Sequence, residues 1–103
     1  MRMMQRQAGA AERKKMFRLW AREFKNNQML RDTVIADDSR DTRTHKIFRA
    51  LDRVCYEFDL GKPIWLDATV AEFKRHRKAR FRQDNFIEEI PFDYLEIQVI
   101  EED

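Results

Sequence analysis

The chain has 103 residues, room for one domain and one core. Apolar residues make up 43% of it, which predicts a packed core, while 39% charged residues imply a heavily charged surface. No apolar run nears the roughly 18 residues a membrane helix needs, no secretory leader is visible, and the single Cys55 excludes an intramolecular disulfide framework and suits a reducing cytoplasm.

The formal charge of +2 hides an uneven layout. Residues 1–31 hold nine Lys/Arg against Glu12 and Glu23, and residues 74–82 (KRHRKARFR) hold six more with no acid. From Asp84 to Asp103 there are eight acidic residues and no Lys or Arg. Such asymmetry fits either a surface for nucleic acid or an acidic partner, or two ends that lie together and compensate; the second is preferred.

Residues 1–15 lack aromatic and β-branched residues and read as a helical or disordered extension to a single α+β domain at 16–103. Residues 12–15 (ERKK) can be encoded by purines alone, as a ribosome-binding site is, so Met16 is the expected start. Met16–Ala36 reads as a β-hairpin turning at Asn26-Asn27, because Asn tolerates the positive φ of a two-residue turn. A regular register pairs Phe24 with Met29, Trp20 with Thr33 and Leu19 with Val34. It gives one apolar face (Phe17, Leu19, Ala21, Leu30, Val34, Ala36) and a second face with Arg18, Trp20, Arg22, Phe24, Met29, Arg31, Thr33 and Ile35. A helix over Ala8–Lys25 is the competing assignment.

A helix near Thr42–Phe58 is the clearest element. Asp37-Asp38-Ser39 offers N-caps, and Ile47, Phe48, Leu51, Val54, Cys55 and Phe58 form an unbroken apolar stripe. Leu60-Gly61 and Pro63 stop it, with glycine as the expected left-handed residue. A short helix follows, capped at Asp67 or Thr69 and reaching about His76, with Thr69-x-x-Glu72 in the form of a capping box. Residues 79–81 suggest a brief strand or connector. Tyr94–Ile100 alternates as a strand, with Leu95, Ile97 and Val99 inward and Tyr94, Glu96, Gln98 and Ile100 outward. The predicted architecture is therefore a small antiparallel sheet, made of the N-terminal hairpin and the C-terminal strand. The main helix packs on one face, and the second helix is short.

Two surfaces stand out. Trp20 and Phe24 among Arg18, Arg22 and Arg31 could stack on bases or anchor a protein, or be covered by the short helix or residues 79–92, which is preferred. Lys74, Arg75, Arg77, Lys78, Arg80 and Arg82 could neutralise phosphates, or face the acidic C-terminal segment, which is preferred. Other signals are weaker. Cys55 sits on the apolar stripe, His45 and His76 have no metal-ligand spacing, and two glycines cannot build a phosphate loop. The pairs Asp67/Glu72 and Asp93/Glu96 are poorly placed for a metal-dependent nuclease. No catalytic, metal or cofactor site is assigned.

The stretches RDTVI, DTRTHKIF, VCYEFDLGKPIWL, EFKRH and FIEEIPFDYLEIQVIEED resemble a family of short uncharacterised proteins from anaerobic, gut-associated Gram-positive bacteria. The resemblance spans roughly Met16 to Asp103 and implies a start near Met16, but contributes no activity and no site residues. The expectation is a bacterial, cytoplasmic, non-enzymatic protein acting through an interaction surface, with a homodimer or another protein as partner and no membrane. The alternative is a small nucleic-acid-binding module using the Trp20 face and the basic run.

Overall fold

The computed structural model describes residues 15–102; nearly all of the expected N-terminal extension lies outside the described residues. Strands β1 (Phe17–Lys25) and β2 (Gln28–Asp37) form the hairpin. Helices α1 (Arg43–Phe58) and α2 (Asp67–His76) follow, then β3 (Lys78–Phe81), a single 3-10 turn at Gln83–Asn85, and β4 (Tyr94–Glu101). The sheet is antiparallel with order β2-β1-β4-β3, so the class is α+β. The strand β4 enters between β1 and β3, and the segment at 78–81 is a true edge strand.

The Asn26-Asn27 turn adopts positive φ at both residues (53° and 64°), as the hairpin requires. The pairing of Phe24 with Met29 also holds, but the register then shifts. Leu30 is an extra residue on β2, so Glu23 pairs with Arg31, Trp20 with Val34 and Leu19 with Ile35. One inserted residue exchanges the faces of everything beyond it. Ile35 is therefore buried, while Leu30 and Val34 are exposed (51% and 45%), against the regular-register expectation.

Helix α1 covers the β1–β2 half of one sheet face with Ile47, Leu51, Val54, Cys55 and Phe58. Helix α2 lies beside it over β3 and contributes Phe73. Phe86, Ile90 and Phe92, from the segment between β3 and β4, fill the same core against Leu95, Ile97, Ala79 and Phe81. Phe48 departs from the expected stripe: it is 48% exposed, because that flank of α1 runs past the sheet and meets Trp65 instead.

The caps also differ in detail. Thr42, not residues 37–39, caps α1, its hydroxyl accepting from His45 N–H at 3.2 Å. The left-handed residue that ends α1 is Asp59 (φ 56°), not Gly61, and Leu60 N–H donates to Cys55 O at 2.8 Å. Helix α2 begins at Asp67, which leaves Thr69 inside it and no capping box. The Thr69 hydroxyl instead accepts from Asn85 Nδ2 at 2.9 Å, and Glu72 accepts from Arg80 N–H at 3.3 Å.

Candidate interaction face of the sheet

Because α1, α2 and the 83–92 segment all contribute to the core on one side, none of them covers the other side of the sheet. Strand alternation and the register assign the rows of that open face. Val34, Trp20, Gln98 and Lys78 form one row across the four strands, and Asp32, Arg22, Glu96 and Arg80 form the next. Toward the hairpin turn come Met29, Phe24 and Tyr94; at the opposite end lie Ala36, Arg18 and Glu101. Ile100, the extra residue of a second bulge where β1 meets β4, is 44% exposed.

These side chains are joined into one band. Phe24 stacks on Tyr94 with ring centroids 5.2 Å apart, and the Arg80 guanidinium lies 4.4 Å over the Tyr94 ring. Arg80 donates to Glu96 at 3.0 Å, and Arg22 reaches the other oxygen of the same carboxylate at 2.9 Å. The Glu96 hydrogen bond raises the Arg80 pKa above the ordinary guanidinium value. Arg22 also donates to Gln98 at 2.8 Å and stacks 3.8 Å over Trp20, whose indole N–H donates to Asp32 at 2.8 Å. Within this packing Arg22 Nε is buried without an oxygen partner. At the end of the face Arg18 pairs with Glu101 at 2.8 Å.

Of the residues singled out from sequence, Arg18, Trp20, Arg22, Phe24, Lys78 and Arg80 share this face. Arg31 does not. The Leu30 bulge turns it to the helical side, where it pairs with buried Glu23 at 2.9 Å, donates to Phe58 O at 2.8 Å and lies 4.3 Å over the Phe58 ring. Lys74 and Arg75 lie on α2, and Arg77 is the left-handed residue that ends it, paired with Glu102 at 3.0 Å. Arg82 follows β3 and is exposed. Sequence reasoning left out Tyr94, Glu96, Gln98, Val34 and Ile100 as site residues. The alternation of β4 carried a signal for four of them, which becomes usable once β4 is known to pair with β1.

The two charge extremes do meet, because acidic β4 lies between basic β1 and β3, and Arg18, Arg22, Arg77 and Arg80 all find carboxylates on or just beyond it. Among the described residues no group of three or more His, Cys, Asp or Glu converges as a metal site would need. The Cys55 thiol is pushed up to about 11, chiefly by burial, which makes it a poor nucleophile. No described helix is long and apolar enough to cross a membrane. Comparison of the chain with protein-family models, curated proteins and solved structures gives no match.

Proposed function

We propose that this is a non-enzymatic, cytoplasmic bacterial protein that works by docking through the open sheet face, with a second copy of the chain as the partner. The supporting observation is that the face has paired its own charges laterally. Arg22, Arg80 and Arg18 are bound to Glu96 and Glu101, and Asp32 is held by Trp20. What remains exposed is mostly apolar, Val34, Met29 and Ile100, beside the half-buried Trp20 and the cation Lys78. A surface whose charges are paired except for Lys78 at its edge can meet a copy of itself with little charge left unpaired on burial. Sedimentation equilibrium tests this directly. The chain is expected to dimerise, and Val34→Glu with Ile100→Lys to give monomers that stay folded by circular dichroism. A wild type that stays monomeric at every concentration overturns the reading.

One observation favours nucleic-acid binding as a second reading. Lys74, Arg75, Lys78 and Arg82 have no carboxylate partner among the described residues, and Lys78 lies on the open face itself. A salt-dependent shift on mixed RNA or DNA, lost in Trp20→Ala and in Arg80→Glu, would select it over dimerisation.

A further inference from the structure

On the helical side, away from the open sheet face, a cavity of about 250 Å³ opens between the first turns of α1 and the outer side of α2. Its walls are Ile47, Phe48, Trp65, Val70 and Phe73, with Arg43, Thr44 and Lys74 completing the lining. The aromatic walls are ordered against one another. Trp65 stands edge-on to Phe48 at 6.2 Å and to Phe73 at 5.8 Å, and is braced from beneath by Phe81 at 5.0 Å. Phe48 is half exposed on this wall, so a large ring that could have been buried is spent lining a hollow.

The charged residues that line the cavity are cationic: among the described lining residues none is acidic. The Arg43 guanidinium sits 5.6 Å from the centroid of Phe73, one of the walls. Arg43 and Arg77 share the single carboxylate of Glu102, at 2.9 and 3.0 Å, and Lys74 has no ion-pair partner among the described residues. Of the two lining cations, Arg43 is therefore paired with Glu102 and Lys74 is left over.

We infer that this cavity is a binding site for a small organic monocarboxylate carrying one ring or a short branched chain. The apolar body would sit between Phe48, Trp65 and Phe73, and the carboxylate would meet Lys74 and Arg43. The volume lies just below the roughly 300 Å³ at which drug-sized sites begin, so it suits one ring and a short arm. The excess positive charge selects the anion over a neutral or cationic analogue, and a charge-assisted contact of this kind is worth at least about tenfold in affinity. The site is independent of whatever docks on the sheet.

The test uses 3-phenylpropionate, 3-phenylpropanol and 3-phenylpropylamine as probes against the full chain. A Trp20→Phe background makes Trp65 the only tryptophan, and its fluorescence is read beside amide shifts of α1 and α2. The carboxylate is expected to bind saturably and at least about tenfold more tightly than the alcohol, with no saturation by the amine. Lys74→Glu should weaken it by about the same factor, and Val70→Phe, which fills the cavity without adding a tryptophan, should abolish binding while the fold persists by circular dichroism. Equal binding of alcohol and carboxylate marks a merely apolar groove and overturns the inference. So does the absence of saturable binding at about 10 mM probe, or indifference to Lys74→Glu.

Discussion

The two faces of the sheet are made by the same four strands and differ in how they are held. On the helical face Leu19, Ala21, Ile35, Leu95, Ile97 and Phe81 are sealed by α1, α2 and the 83–92 segment, and their stabilisation comes from area removed from water. On the open face the side chains lie flat and hold one another, ring on ring and guanidinium on ring, with Glu96 clamped between Arg22 and Arg80. The difference separates the face that stabilises the fold from the face given the proposed docking role. Substitutions on one face should unfold the chain, and those on the other should change what it meets.

The largest effects therefore belong to the core. Phe81→Ala removes a fully buried ring that also supports Trp65, and should cost about 4 kcal/mol in urea titration. Val34→Ala on the open face should cost well under about 1 kcal/mol in the same assay. Comparable losses would mean that the open face is as much a core as the other.

Next comes the charged pair that the bulge completes by turning Arg31 to the helical side beside Glu23. Arg31→Ala leaves the Glu23 carboxylate buried without its cation, and should cost roughly 3 kcal/mol. Glu23→Leu combined with Arg31→Leu should recover most of that, since the uncompensated charge is gone. A double variant as unstable as the single one would show that Arg31 acts through Phe58 alone.

Asn85 ranks third. Its side chain donates to Ile64 O and to the Thr69 hydroxyl and accepts from Arg82 N–H, each at 2.9 Å, tying the 61–66 and 82–86 segments to α2. Asn85→Leu strands these partners and should lower stability by roughly 2 kcal/mol, read from thermal unfolding.

These same residues show where the sequence was readable. Period decided most of it: α1 follows the three- and four-residue spacing of its apolar stripe, and β1 and β4 follow strict alternation. The phase of β2 could not be read, because the Leu30 bulge inserts one residue after a turn that looks regular, and Arg31, Val34 and Ile35 all change sides. The alternation of β4 placed Tyr94, Glu96 and Gln98 away from the core, yet only their pairing partner reveals that they adjoin Trp20 and Arg22. Asn85 belongs to no periodic pattern at all. Its role depends on backbone from a segment some twenty residues earlier, a contact that local propensity does not encode.

The smallest predicted effect concerns acid, and it falls at the corner where β2 turns into α1. Burial pushes the Asp37 carboxyl up, but hydrogen bonds from Ser39 and the Arg49 guanidinium outweigh it and hold its pKa down to about 2. Asp41 is likewise held to about 2, by hydrogen bonds from His45 and Thr42 N–H and by Arg49. In the unfolded chain both return to the ordinary 3.8. Between these values the unfolded state binds the more protons, so the stabilisation is fully present above about pH 4 and drains away as pH falls toward 2. Urea midpoints at pH 6, 4, 3 and 2 should trace this fall in the wild type. Asp37→Asn with Asp41→Asn should be less stable near neutrality and flatter from pH 4 to 2, since the two carboxylates held down by folding are gone. A double variant whose acid limb runs parallel to the wild type would move the acid sensitivity to other carboxylates of the fold and leave this corner an electrostatically passive turn.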